Sequence, residues 1–405
     1  MGMKPNILLC SLVLASSGAA ARPSFVVPER LYAVPNVTCD VNYAQLFDSY
    51  TPNRYVLEAL SPVGRCYASA WQFVPKASDA GKTYPLVLNA WDDEHGLVAS
   101  ATTSVRVASG KPVAALKKRR LALSLLAASD TGSRYQDRLR RQMRAYGYAN
   151  YAAVGSHSGG SESMVCEPEK DAPHDGYGGF AWDDFLHRYL LSLDELDNIQ
   201  EEGEREVLQK RGYRIPAGQE WRRALLKSPM LKLAGTKPVV DIPGWFGRIN
   251  GGKAPDVFLI CLGGNGVFIQ RPDKDTGRVR HELESARELV AALRAAAPNA
   301  LIAITSSIGG SFDQDSWGRN YGAIQHCMVA HRAFVDYNRT MMAFCRSFAD
   351  GRVVYVPTMQ ALDPIASYYT GRKDGNAMHT RPLGGVQLGD AIFAWLVNAL
   401  EEGKL

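Results

Sequence analysis

The sequence predicts an α/β fold, a parallel sheet covered by helices on both faces, preceded by a small all-β sandwich. Two patterns and the chain length carry this expectation. From Leu121 onward, short apolar runs (Leu121–Ala127, Asn150–Val154, Val257–Leu262, Leu301–Thr305 and Val353–Val356) alternate with helical stretches (Ala181–Leu193, His281–Ala296, His326–Phe348 and Leu383–Glu402). Strands that are apolar throughout, rather than on alternate residues, are buried on both faces, as in a parallel sheet between helical layers. Residues 22–110 read differently. Segments rich in β-branched and aromatic residues (Ser24–Val27, Tyr55–Leu60, Tyr67–Val74, Tyr84–Trp91 and Leu97–Val107) are separated by Pro, Gly, Asn and Asp. That is the punctuation of a sandwich. At 405 residues the chain exceeds what one core ordinarily serves, so two domains are expected.

Residues 1–21 have the form of a signal peptide: Lys4, the apolar stretch Ile7–Ala15, then Ala19-Ala20-Ala21. The apolar stretch is too short to span a bilayer, so cleavage near Ala21 and a secreted or periplasmic product are expected. Within residues 22–110, Asp79-Ala80-Gly81-Lys82-Thr83-Tyr84-Pro85-Leu86 resembles the turn-and-strand phrase of bacterial immunoglobulin-like modules. Residues 111–120 form a linker ending in Lys117-Lys118-Arg119-Arg120. This cluster supplies much of a formal charge of only +5, so no basic face for nucleic acid is expected. A polar insert at about 192–253 interrupts the strand–helix rhythm and reads as partly helical surface structure.

Six cysteines remain after the signal: Cys39, Cys66, Cys166, Cys261, Cys327 and Cys345. Export permits disulfides, and Cys39 with Cys66 is the expected pair because both lie in the same β-rich region. Cys261 sits inside an apolar strand and reads as a buried free thiol. No cysteine pair has zinc-ligand spacing and no histidine pair stands at i, i+4. No metal or other cofactor is indicated.

Four stretches carry chemistry. The apolar run Leu121–Ala127 gives way to Ala128-Ser129-Asp130-Thr131-Gly132 and a helix at Tyr135–Tyr146. In open α/β sheets the crevice beyond the strands' carboxyl ends is where ligands bind, so Ser129 is a candidate nucleophile provided the rest of the chain supplies an oxyanion hole and a base. His174-Asp175-Gly176-Tyr177-Gly178-Gly179-Phe180 is a glycine-rich loop opening a helix, where backbone N–H groups favour negative charge. The strand Val257–Leu262 ends in Gly263-Gly264-Asn265-Gly266. There a side-chain amide can donate to a developing oxyanion. Near the C-terminus, Asp374-Gly375-Asn376-Ala377-Met378-His379 supplies the base that a serine nucleophile needs.

These four stretches, in this order, resemble the SGNH/GDSL hydrolase family over about residues 119–405. The resemblance is closest to the secreted branch with an N-terminal immunoglobulin-like module. It implies a flavodoxin-like three-layer domain at 121–405 and a secreted serine esterase acting on O-acyl, above all O-acetyl, groups of carbohydrate. Ser129 matches the nucleophile, Gly179 and Asn265 the oxyanion donors beside the Ser129 N–H, and His379 the base. Tyr177, Trp317 and Tyr321, with Phe180 and Trp182, stand near the expected cleft and are candidates for stacking on a sugar. The implied partners are an acylated carbohydrate or another small ester, with no nucleic acid and no membrane once the signal is removed.

The chain also departs from the family. Ala127-Ala128 replaces the Gly-Asp before the serine, and Gly266 replaces the acid after the block-three asparagine. The acid expected three residues before the histidine is Asn376, while Asp374 stands five before it. Asp374 can complete a triad only from an irregular loop; otherwise Asn376 or a backbone carbonyl orients the ring. The alternatives are a non-catalytic carbohydrate-binding protein on the same fold, or an acyltransferase.

Overall fold

The computed structural model describes residues 23–129, 135–158, 172–187, 228–234, 237–268, 277–322 and 326–405. The signal segment, Cys166 and most of the insert lie outside them.

Five parallel strands form the centre of a larger sheet: Leu121–Ala127, Tyr151–Val154, Val257–Cys261, Leu301–Thr305 and Val353–Val356. Numbered by sequence, their spatial order is 2-1-3-4-5, a doubly wound order that leaves a crevice beyond the first strand. Alternate residues serve opposite faces. Leu126, Phe258, Ile260, Ile302 and Ile304 pack with Trp245, Leu289 and Phe334 on one side. Leu123, Leu125, Val257, Leu259 and Leu301 pack with Leu139, Phe393 and Trp395 on the other. Burial on both faces explains the unbroken apolar runs. The chain is thus mixed α/β with a parallel sheet, and the expected strands and long helices are present to within a few residues.

The helix Pro382–Glu401 is apolar and long enough to cross a membrane, with mean hydropathy 1.3, yet it is 78% buried inside the protein. It is a core helix. The expected helix Ala181–Leu193 begins only at Asp184: residues 182–183 form a turn, Asp184–His187 is helical, and residues 188–193 lie outside the described residues.

The N-terminal region builds a four-stranded sheet (Arg30–Ala33, Gly96–Val107, Thr83–Asp92 and Val56–Leu60) and a three-stranded one (Cys39–Asn42, Ala70–Phe73 and Arg65–Cys66). Leu31, Leu86 and Val105 of the first share a core with Val41, Trp71 and Phe73 of the second. The expected Cys39–Cys66 disulfide is absent, and both cysteines are free. They stand on the two outer strands of the smaller sheet, with Ala70–Phe73 between them. Two inter-strand spacings of about 4.8 Å each exceed the roughly 7 Å limit between bridged Cα atoms. Cys261 is buried and forms no disulfide among the described residues, in line with the expected buried thiol.

This region is fastened to the α/β part. His331 Nε2 donates to the Phe47 carbonyl at 3.2 Å, and Asp48 accepts from Arg332 at 2.7 Å and from Arg339 at 2.5 Å. Asn398 Nδ2 donates to the Ala33 carbonyl at 3.3 Å, and the Ser109 N–H to the Glu401 carboxylate at 2.9 Å. The connecting stretch is pinned as well: the Val113 N–H donates to Tyr148 Oη at 3.0 Å, and Arg119 pairs with Asp256.

The described end of the insert corrects the expectation of surface structure. A hairpin, Leu231–Ala234 with Lys237–Val240, leads into the helix Ile242–Asn250, whose start Asp241 caps by accepting the Gly244 N–H at 3.1 Å. Trp245 and Phe246 of this helix are buried against Phe258. The helix is short and its polar flanks masked two core aromatics.

Candidate active site

Strand register brings three of the four stretches to one edge. Ala127 lies opposite Cys261 on one side and Gly176 on the other. Ser129 therefore leaves the sheet between the turn Leu262–Asn265 and the loop Tyr177–Phe180. The Tyr177 N–H donates to the Ala127 carbonyl at 3.1 Å, extending that pairing one residue beyond the strands. Gly263 turns at φ +95°, and a Cβ there would fall 2.2 Å from Tyr337 Oη. Only glycine fits. Asn265 Nδ2 donates to the Phe180 carbonyl at 2.9 Å, which ties the second and third stretches together and leaves the amide its second proton. Gly179, at φ +76°, is the exposed apex of the Tyr177–Phe180 loop.

The histidine arrives from the opposite end of the chain. Asn376–Thr380 is a short strand paired with Tyr368–Tyr369 just before the helix Pro382–Glu401. It sets His379 Nε2 2.7 Å from Ser129 Oγ. Burial lowers the His379 pKa below the ordinary histidine value, so at neutral pH the imidazole is uncharged.

Asp374 does not reach this histidine. It is exposed in the turn before Gly375, which closes with the Gly375 N–H donating to the Gly371 carbonyl at 3.0 Å. The chain becomes extended at Asn376, carrying His379 away from it. Asn376 takes the orienting place instead. Its Oδ1 accepts the N–H groups of Met378 and His379 at 3.1 and 3.0 Å, an Asx-type turn. Its Nδ2 lies 2.9 Å from His379 Nδ1.

Ser129, Asn265 and His379 line a small cavity of about 30 Å³ together with Ser307, Ile308 and Met378. Sequence reasoning missed Ser307. Its N–H donates to Asn338 Oδ1 at 2.8 Å, while its buried hydroxyl has no hydrogen-bond partner among the described residues. The available signal was a polar pair, Ser306-Ser307, just past the end of Leu301–Thr305, where polar residues face the crevice.

The aromatic candidates divide. Trp317 is fully buried, its Nε1 donating to the Ser311 carbonyl at 2.6 Å, so it offers no face to a sugar. Phe180 and Trp182 are likewise core. Tyr177 is half-buried and donates to Asp175 Oδ1 at 3.0 Å. Tyr321 is half-buried against Phe268 and Trp317. Only these two keep surface near the cleft.

A buried carboxyl supports the third stretch from behind. Desolvation, reinforced by Asp183 and Asp184, pushes Glu282 up to about 8. A Cβ on Gly266 would fall 1.8 Å from its Oε1. The position where the resemblance expected an acid is therefore filled by a neighbour's carboxyl.

No protein-family model matches the sequence, and no curated protein matches it. Among solved structures, the fold is similar to a carbohydrate esterase family 3 protein from Talaromyces cellulolyticus (16% identity, 70% of this chain and 99% of that one, TM-score 0.40). It is also similar to a family 3 carbohydrate esterase from Clostridium thermocellum (14% identity, 69% and 98%, TM-score 0.38). A third is a family two carbohydrate esterase from Clostridium thermocellum in complex with cellohexaose (12% identity, 93% and 91%, TM-score 0.33).

Proposed function

We propose that the chain is a secreted serine esterase of the SGNH/GDSL type that removes O-acetyl groups from carbohydrate. The contact that carries this reading is His379 Nε2 at 2.7 Å from Ser129 Oγ, at the strand edge where Asn265 is also fixed. Ser129 attacks the ester carbonyl as its proton passes to His379. The oxyanion is held by the N–H groups of Ser129 and Gly179 and by the second Nδ2 proton of Asn265. His379 then protonates the departing alcohol and activates the water that releases the acyl group. No step calls on a cofactor.

The cavity supports a short acyl group. About 30 Å³ is little more than two water-sized spheres, each taking roughly 10–15 Å³. A recess of this size beside Ser129 and His379 suits a short acyl group such as acetyl. In the same reading, residues 22–110 are an immunoglobulin-like module that braces the esterase, and Tyr177 and Tyr321 border the sugar.

p-Nitrophenyl acetate hydrolysis by the wild type and Ser129→Ala tests the nucleophile, and equal rates would refute it. A series from acetate to hexanoate tests the acyl pocket, with a decline of at least tenfold expected. A second reading, a non-catalytic carbohydrate-binding protein, draws on one observation: an amide stands where a triad has its acid.

A further inference from the structure

The hydrogen bonds around Asn376 determine which imidazole nitrogen holds the proton. Asn376 Oδ1 already accepts two backbone N–H groups, from Met378 and His379. Turning the amide over would set its NH2 against both of these donors. The amide is therefore fixed with Nδ2 toward His379 Nδ1, 2.9 Å away. An NH2 group has only protons to offer in this direction, so Nδ1 must accept. The single proton of the neutral ring then sits on Nε2, where it donates to Ser129 Oγ at 2.7 Å.

We infer that Asn376 is a positioning residue that holds His379 in the Nε2–H tautomer, so that the Ser129–His379 pair rests in a low-activity state. This rests on the esterase reading of the same site. A serine can pass its proton only to a bare Nε2 lone pair. In the resting state that lone pair is occupied and the hydrogen bond runs from histidine to serine. The productive tautomer carries its proton on Nδ1, which would point N–H at NH2, two donors face to face. Each turnover must therefore begin from a minor state, and kcat falls by the fraction that state represents. An aspartate at 376 reverses the preference. One carboxylate oxygen keeps the two backbone N–H groups, and the other accepts the Nδ1–H proton. Asp374 does not provide this, because it is exposed in the preceding turn.

The inference is tested by two readouts on the full-length protein. Nitrogen NMR of ¹⁵N-histidine-labelled wild type, with His379 assigned by its loss in His379→Gln, reports the tautomer directly. A proton on Nε2 is expected, and one on Nδ1 overturns the inference without any appeal to activity. Asn376→Asp should move the proton to Nδ1 and raise kcat on p-nitrophenyl acetate by about 10²-fold or more, within the ~10⁴-fold that an orienting acid contributes in the serine-protease template. KM should change little. The acid limb of the pH–rate profile should shift to higher pH, because a carboxylate beside the ring favours imidazolium. An unchanged or lower kcat in the folded variant, or an unmoved acid limb, overturns the inference. The double variant Ser129→Ala/Asn376→Asp separates this inference from the esterase reading. If it keeps the rate of Asn376→Asp, the serine-esterase reading fails while the tautomer assignment still stands or falls on the spectrum.

Discussion

His379 is flanked by one group that gives it work and one that limits it. Desolvation alone lowers its pKa, so protonation sets in below the ordinary value of about 6.5. Esterase activity should stay level as pH falls through 6.5 and decline only at more acid values. A pH–rate profile with its acid limb above 6.5 would contradict this. Asn265 is held by Phe180 with one proton to spare, so Asn265→Ala should lower kcat by about 10²–10³-fold, the usual cost of one oxyanion donor. Steady-state kinetics with KM nearly unchanged is the expected result. At this scale the sequence pointed to Ser129, Asn265 and His379, because each follows a legible strand or precedes a legible helix, and the fold sets all three around one cavity. It did not show that Asp374 turns outward, since spacing in a loop says nothing about direction. Trp317 misled for a related reason. An aromatic near a cleft and an aromatic under it look the same in one dimension.

Elements carry the second layer of constraint. The turn after Val257–Cys261 fits only because Gly266 leaves room for Glu282. Gly266→Ala should displace that carboxyl or the turn, costing about 1–3 kcal/mol as overpacking does and moving Asn265. Thermal melts paired with activity would show both losses together, and an unaltered variant would sink the argument. The helix Cys327–Arg346 holds the N-terminal region through His331, which is fully buried and donates from Nε2 to the Phe47 carbonyl. Burial pushes this histidine down to about 4. Above pH 6.5 it is neutral whether folded or unfolded. As pH falls toward 4, the unfolded chain takes up a proton that the folded one refuses, and stability drops by about 3 kcal/mol near pH 4. His331→Gln should flatten that decline in denaturant melts run from pH 7 to 4. The strands and long helices behind these effects were legible from apolar runs and period. The hidden core aromatics of Ile242–Asn250 were not, because that helix is short and bordered by polar sequence. The Cys39–Cys66 pairing failed because sequence proximity does not reveal the strand lying between them.

For the whole molecule, the same linkage acts from the alkaline side. Glu282 is held protonated, with its pKa raised to about 8 from an ordinary value near 4.3. Its contribution is intact below the ordinary value and is lost as pH rises, by about 4 kcal/mol near pH 8. The two windows overlap between about pH 4.3 and 6.5, where their opposite slopes cancel, so the net loss of stability falls above about pH 6.5, and Glu282→Gln should raise the melting temperature at pH 8 more than at pH 5. Equal changes at both would exclude this account. The two parts of the chain also share hydrogen bonds accepted by Phe47, Asp48 and Ala33 and donated by Ser109. The sequence suggested a module on a linker, but contacts across the junction are invisible to local pattern.

The bonds from Asn398 to Ala33 and from Ser109 to Glu401 join the N-terminal sheet region to the helix Pro382–Glu401, across most of the sequence. That helix covers one face of the parallel sheet and follows directly on the strand bearing His379. During synthesis it emerges long after the N-terminal sheets, whose edge stays uncovered until it arrives. Such distant closure makes folding slower than in a fold built from local contacts. The junction between the two parts of the chain is therefore one of the last pieces of the fold to close.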